Sequence, residues 1–319
     1  MLKFGILKQE QFLALGAERW RSVPHVSYRL LDVGDHPTAD QIRVFEDISF
    51  SLRTSNGTFR TTFRHRFKDV DAAALRWMQQ SYSADATVHI QDRAVSHGLT
   101  TAEWAAAIFP AFPQARVEGS DLLFHLLELT LDSGEVYIVE SNGTPLQYIK
   151  APFVVQLHHP GSWRYPLNRW VAARARRRFE SLRLPGGWME MSAAPGFRVR
   201  RIPYIHPEAR ALATETPGLT FRLRSVFDRT PGACQVLRTM NIFNSSYFST
   251  AQLSEGFSQV FESLTPDGLW IAGRTLEEDF SNHATIFRRN HEGWTVLERI
   301  GKGWELESLA IRGTELPAL

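Results

Sequence analysis

The stretch Ala233–Thr275 limits the fold of this 319-residue chain more than any other. Val236, Leu237 and Met240 lie in a short apolar run suited to a buried strand. Leu253, Phe257, Val260, Phe261 and Leu264 then recur at helical spacing and make one apolar face. Ser249 to Gln252 has the form of a capping box at the helix entrance, Pro266-Asp267-Gly268 is turn punctuation, and Leu269–Gly273 reads as a second buried strand. Strand, crossover helix and strand at this spacing predict a βαβ unit with parallel strands. Ligands of such sheets bind just beyond the carboxyl ends of the strands. The loop Asn241–Ser249, which carries Asn241, Asn244 and Tyr247, leaves the first strand at such an end.

A second unit of the same kind begins at Thr87–Gln91, a short β-rich run. It enters Asp92-Arg-Ala94-Val-Ser96-His97-Gly98, and a helix starts near Thr100 with Trp104 and Ile108 inward. Thr100 to Glu103 has the form of another capping box. Ala115–Gly119 reads as the next strand, closing on Ser120-Asp121. Strand, small-residue loop, helix and strand with an acidic residue at the end is the layout of a nucleotide-binding half-domain. The loop admits a ligand to the backbone, and the acid accepts ribose hydroxyls. With one glycine in the loop, an ordinary βα turn is the alternative.

Around these units the expected organisation is an N-terminal α+β extension over residues 1–84 and a second domain over 85–319. In the extension, Ile48, Phe50 and Leu52 alternate ahead of Asn56-Gly57, Phe59 and Thr61, which predicts a hairpin. Asp69 is placed to cap a helix with Val70, Ala74, Trp77 and Met78 on its inner face. An insertion over about 122–204 holds a second hairpin, Glu135–Ser141 and Thr144–Ile149 about Asn142-Gly143. It also holds a basic helix, Arg169–Arg183, with a stripe of Leu167, Trp170, Val171, Ala175, Phe179 and Leu182. Its arginines are read either as a solvated face or as a patch for an acidic partner, an anionic substrate or a membrane surface. Phe197–Ile205, a helix from Pro207 and the strand Leu219–Phe227 resume the α/β alternation, and Asp228 follows. His283–Arg289 and Trp294–Ile300 are close enough to demand an antiparallel hairpin, so a mostly parallel sheet ends in an antiparallel pair.

Composition narrows the function classes. No apolar run is long enough to cross a membrane, and MLKFGILKQEQF lacks the core and cleavage site of a signal peptide, so a cytoplasmic location is expected. The single cysteine, Cys234, excludes an internal disulfide and a Cys-based zinc site. The eleven histidines show no metal-ligand spacing; the pair His158-His159 falls on a loop, and no metal is expected. A net charge of +2 makes no case for nucleic acid, although 31 of the 36 basic residues are arginine. P-loop, nucleophile-elbow and GxGxxG motifs are all missing. The sequence does not set the oligomeric state.

With these pieces placed, Thr87 to Ile311 resembles the class I S-adenosylmethionine (SAM) dependent methyltransferases, and among them the chemotaxis-receptor (glutamate O-) methyltransferase type. Asp92-x-Ala94-x-Ser96-x-Gly98 stands where that superfamily has an acid followed by alternating glycines, and Gly119-Ser-Asp121 resembles its Gly-Thr-Asp. Arg238-Thr-Met-Asn241-Ile-Phe-Asn244-Ser-Ser-Tyr247-Phe248, with the later Leu264-Thr-Pro-Asp-Gly-Leu, resembles the Arg-Asn-Val-Leu-Ile-Tyr-Phe segment and Leu-x-Pro-Gly-Gly turn. The resemblance implies a Rossmann-like fold and SAM as cofactor, with S-adenosylhomocysteine as product. Asp92, Ala94, Ser96 and Gly98 fall near its methionine part, Asp121 near its ribose and Asp228 near its adenine. Asn241 faces cofactor, and Asn244 and Tyr247 face substrate. Asn241, Tyr247 and His97 are the candidates for catalysis. The non-functional readings are turn or cap roles for the aspartates and asparagines, core packing for Tyr247, and an exposed loop position for His97. Ala94 and Ser96 replace two of the glycines, which is harmless at negative φ and unfavourable at positive φ. The expected function is methyl transfer to a small molecule or specialised metabolite. A non-catalytic SAM- or ligand-binding relative, an enzyme that cyclises or cleaves SAM, and a dinucleotide oxidoreductase are the alternatives.

Overall fold

The computed structural model describes residues 5–15, 25–55, 60–158 and 166–314. In chain order the helices are α1 (Gln9–Leu13), α2 (Ala39–Ser51), α3 (Lys68–Ser81), α4 (Leu99–Ile108), α5 (Pro166–Glu180), α6 (Pro207–Glu215), α7 (Thr250–Ser263) and α8 (Glu307–Thr314). The strands are β1 (His89–Arg93), β2 (Arg116–Asp121), β3 (His125–Leu131), β4 (Val136–Val139), β5 (Pro145–Lys150), β6 (Phe153–Gln156), β7 (Ala193–Ala194), β8 (Phe197–Pro203), β9 (Leu219–Leu223), β10 (Cys234–Met240), β11 (Leu264–Thr275), β12 (Asn282–Arg289) and β13 (Trp294–Ile300). The chain forms two compact units, one from 1–62 and 123–207, the other from 63–122 and 208–319. The first 84 residues are therefore shared between two units rather than forming an extension of their own.

The second unit is an α/β sheet in the order β13-β12-β11-β10-β1-β2-β9. Its first five strands in chain order, β1, β2, β9, β10 and β11, pair in parallel, and their spatial sequence 3-2-1-4-5 is the doubly wound Rossmann order. The expected antiparallel close is present: β12 runs against β11, and β13 against β12. Strand order reverses between β1 and β10, and this is the switch point at whose carboxyl end ligands bind. The stretch 233–275 folds as strand, helix and strand. Ser249 caps α7, and its capping box with Gln252 is complete. Leu253, Phe257 and Val260 bury one face against Leu237, Trp270 and Phe287. The Pro266-Asp267-Gly268 turn lies inside β11 as a bulge, because pairing jumps from Cys234–Leu264 to Val236–Leu269.

The other unit holds a six-stranded antiparallel sheet, β6-β5-β4-β3-β8-β7. Period-two alternation divides it into two cores. Leu126, Ile138, Leu146, Val154 and Ile202 pack with Phe12, Val44, Phe45 and Ile48. Leu127, Leu129, Tyr137, Val139 and Val155 pack with Ala172 and Ala175 of α5. The hairpin about Asn142-Gly143 is present, with Gly143 at φ +86°.

Several expectations are corrected here. Ile48, Phe50 and Leu52 do not form a strand. Thr38 and Gln41 cap a helix that runs through Ile48 and Phe50 and stops before Leu52, and Val44, Phe45 and Ile48 make its buried face. Asn56-Gly57 lies outside the described residues. Phe197–Pro203 does not resume the parallel sheet; it pairs antiparallel with β3. Phe67, not Asp69, is the N-cap of α3, and the Asp69 carboxylate instead accepts from Asn282 Nδ2. The start of α4 is Gly98 at φ +79° rather than a Thr100–Glu103 box, because Glu103 accepts the His65 backbone N–H. On α5, Ala172 and Ala175 are buried, but Leu167 and Trp170 of the expected stripe are exposed. Trp170 carries Arg174 over its ring. No helix among the described residues is long and apolar enough to cross a membrane.

Candidate functional site

The carboxyl edge of the seven-stranded sheet gathers the loops that the sequence singled out. After β1 the backbone turns through Ala94 at φ +62°, Ser96 at φ +58° and Gly98 at φ +79°. Alternate residues thus take the left-handed conformation that glycine adopts freely and a Cβ resists. Two bonds from β2 hold this shape: Ser96 N–H donates to Asp121 Oδ2 (2.8 Å), and Val95 N–H to Ser120 O (3.2 Å). Gly98 is required twice over, by its φ and because a Cβ there would lie 2.5 Å from the Phe221 ring. Asp121 is buried at the strand end, directly beside the loop. His97 is buried as well, so neither the exposed-loop reading nor a solvent-facing base describes it.

Asp92 has another task. Its carboxylate accepts from Arg238 Nε (3.0 Å) and Nη2 (2.5 Å) and from Thr101 Oγ1 (2.6 Å). Arg238 also pairs with Asp71 of α3 and stacks over Trp104, its guanidinium 4.2 Å from the ring centroid. Burial opposes the arginine's charge, but the two carboxylates outweigh it and hold the group protonated above its ordinary range. For Asp71 burial wins: its carboxyl is pushed up to about 7, against the pull of Arg238. The acid at the end of β1 is therefore a structural partner of β10.

The remaining candidates separate along the same edge. Asn241, at φ +60°, clamps two strand ends. Its N–H donates to Gly273 O, its Oδ1 accepts Thr275 N–H (2.7 Å), and its Nδ2 approaches Thr275 Oγ1 (3.4 Å). Asn244 forms an Asx turn, with Oδ1 accepting from Ser246 and Tyr247 N–H. Asp228 is exposed and closes a turn by accepting the Ser225 N–H. Tyr247 is not core; it is 49% exposed and meets Phe248 edge-on. The loops after β9 and β10 instead meet through Phe227, Phe243 and Phe248.

One further residue belongs to this edge. Arg66 lies just before α3. Its Nε donates to Thr275 Oγ1 (3.1 Å), and its guanidinium stacks on Phe63 and Phe67. Burial lowers its pKa to about 10, against the pull of Glu277 and Tyr247. The spacing of Phe63, Arg66 and Phe67 is the one feature that marks it, a cation among aromatics ahead of a helix.

Exposed apolar side chains concentrate here. Among the described residues Leu122 (62%), Leu223 (55%), Tyr247 and Phe280 (55%) are exposed at or just beyond the carboxyl ends of β2, β9, β10 and β11; the other two, Leu167 and Trp170, are on α5. Apolar surface rimming a strand edge marks a ligand-binding face. Cys234, in contrast, is fully buried in β10, and burial pushes its thiol up to about 12. No group of three or more His, Cys, Asp or Glu side chains suited to a metal is found among the described residues. His158 bonds Pro145 O, and His159 lies outside the described residues.

No family model and no curated protein matches this chain. Solved structures do match. A sarcosine dimethylglycine methyltransferase candidate from Galdieria sulphuraria has 10% identity, covering 73% of this chain and 56% of that one, with a TM-score of 0.33. The geranyl diphosphate C-methyltransferase of Streptomyces coelicolor, solved with S-adenosylhomocysteine, has 12% identity, covering 65% and 46%, at 0.28. The DszA carbon methyltransferase has 9% identity, covering 68% and 36%, at 0.33. The chain spans about half or less of each of these proteins, and none of the three is of the chemotaxis-receptor type. Likenesses this loose assign no side-chain role, so the roles of Asp121, Asn241 and Arg66 rest on the geometry of this sheet edge.

Proposed function

We propose that this chain is a SAM-dependent methyltransferase acting on a small molecule or specialised metabolite. The observation that carries this reading is the loop after β1. It keeps left-handed backbone at 94, 96 and 98, although two of those residues are not glycine, and Asp121 of the neighbouring strand closes on it. A loop held in that shape at the switch point of a Rossmann-order sheet fits a nucleoside cofactor approached by backbone. The residues that would hold SAM are the backbones of Ala94, Ser96 and Gly98 and the carboxylate of Asp121. When bound, SAM supplies an electrophilic methyl group that needs in-line positioning more than acid–base help. This chain's contribution is then geometric: Asn241 fixes the ends of β10 and β11, and the rim of Leu122, Leu223, Tyr247 and Phe280 excludes water from an apolar acceptor. Methylation of receptor glutamates, which the sequence resemblance implies, forms no part of this reading.

Calorimetry with SAM and S-adenosylhomocysteine tests it. Both are expected to bind, and Asp121→Ala to weaken both about tenfold or more, the scale of losing hydrogen bonds to a charged acceptor. Binding of neither ligand by the wild-type chain would end the enzyme reading. Mass spectrometry after incubation with SAM alone separates the alternatives, since a methyltransferase leaves SAM intact without an acceptor.

A further inference from the structure

We propose that the outward face of α5 is a docking surface for an anionic lipid bilayer, on which the helix lies flat. Its chemistry is independent of the methyltransferase reading. Helical geometry sets Leu167, Trp170, Arg174, Arg177 and Arg178 within an arc of about 100°. All five are exposed, Trp170 at 56% and Leu167 at 42%. The opposite side is taken up by the fold. Ala172 and Ala175 are buried in the core that holds Tyr137 and Val155, and Tyr137 OH donates to Ala175 O (3.1 Å). The helix is thus held by its back, and its outward face meets a partner without rearrangement.

Charge sets the sign of the partner. α5 carries five arginines, Arg169, Arg174, Arg176, Arg177 and Arg178, against one acid, Glu180, and the exposed Arg183 follows. Arg176 turns aside to donate to Leu157 O (2.7 Å). On the outward row counter-charge is thin. Among the described residues Glu135 is the carboxylate that reaches it, 3.9 Å from Arg178, and Glu135 already accepts from Ser133 Oγ (2.8 Å) and Tyr148 OH (3.0 Å). Arg177 donates to Ala173 O of its own helix (3.4 Å), and Arg174 lies over the Trp170 ring at 5.6 Å. Exposed guanidiniums in a row make a positive potential, and their forks match phosphate oxygens. The apolar pair sets the kind of partner. Leu167 and Trp170 are the exposed large apolar side chains of their unit among the described residues, one helical turn apart on the arginine row. The phosphates of a nucleic acid have no use for Leu167, and a single convex helix offers a peptide no groove. A bilayer interface takes every member: the leucine enters the acyl boundary, the indole sits at headgroup level, and the arginine heads reach lipid phosphates.

The test sediments the full chain with sucrose-loaded vesicles of phosphatidylcholine, alone or with about 30% phosphatidylglycerol as the anionic lipid. The wild type is expected to bind the anionic vesicles about tenfold or more tightly than the neutral ones, and to weaken as salt rises. Arg174→Glu with Arg177→Glu is expected to lose about tenfold or more, and Arg174→Lys with Arg177→Lys to keep most of the binding. Leu167→Ser with Trp170→Ser keeps every arginine and is expected to lose about tenfold as well. Circular dichroism checks that each variant keeps the wild-type fold, as exposed positions should. No binding to anionic vesicles, equal binding to both kinds, or undiminished binding in the glutamate variant overturns the proposal. Undiminished binding in the serine variant overturns it too, and retention of a single-stranded oligonucleotide by that variant would turn the reading to nucleic acid.

Discussion

Replacing Ala94 or Ser96 with glycine should stabilise the seven-stranded unit, an unusual expectation for glycine in a loop. A residue with a Cβ in the left-handed region costs about 1–2 kcal/mol, and both side chains sit there, at φ +62° and +58°. Glycine removes that cost but makes the unfolded chain more flexible, which returns about 0.4–1 kcal/mol. The net gain is about 0.5–1 kcal/mol for each change, and the two lie close enough in the loop that their sum is not guaranteed to be additive. Neither substitution removes the Ser96 N–H that Asp121 accepts, so the loop keeps its anchor. Amide exchange of β1 and β10 reads this unit without interference from the other, and it should slow about two- to fivefold per substitution. In thermal unfolding the same gain corresponds to about 2–4 °C per kcal/mol for a unit of this size. Gly98→Ala is the opposite control: it meets the same backbone demand and also drives a methyl group into Phe221, and should destabilise strongly. Faster exchange in Ala94→Gly and Ser96→Gly would refute the reasoning, since it would mean the loop does not hold left-handed backbone in solution.

Other perturbations probe the strand ends. Asp71, raised to about 7 in the folded chain, binds a proton there at pH values where the unfolded chain has released it. Its contribution therefore falls as pH rises between about 4 and 7, at up to about 1.4 kcal/mol per pH unit. Asp71→Asn should flatten urea stability over that window, and an unchanged slope would rule the group out as its source. Asn241→Gly and Asn241→Ala both lose the clamp on Thr275, but only alanine also meets φ +60°. The alanine variant should be the less stable by about 1 kcal/mol in the same assay, and equal losses would contradict the backbone argument.

How much of this could be read from the chain depends on where each constraint is written. α7 was legible because cap, apolar spacing and stop lie within one short stretch. The segment about Ile48 was ambiguous: residues 48, 50 and 52 alternate like a strand, while 44, 45 and 48 repeat like a helix, and the helix prevailed because Thr38 and Gln41 cap it. β8 shows the deeper limit. Its alternation tells which side chains face a core, but a strand does not encode its neighbour, so Phe197–Pro203 was assigned to the wrong sheet. At the site, the loop and Asp121 stand at the ends of β1 and β2, where the local pattern puts them. The pairing of Asp92 with Arg238 is not written locally, because the two are adjacent only once β1 and β10 pair. The positive φ of Ala94 and Ser96 was equally invisible, since nothing in an alanine announces a glycine's conformation.

That distance between partners has a consequence for synthesis. Asp92 and Arg238 are 146 positions apart, and the whole antiparallel sheet is translated between them. When β1 and β2 emerge, the central position of their sheet is empty on one side, and Asp92 must wait hydrated until β10 arrives. The seven-stranded sheet is thus the later one to close, since β10 follows every strand of the antiparallel sheet along the chain. The buried ion pair between its two central strands works as a completion signal: the acid leaves water only when the arginine enters with β10 beside it.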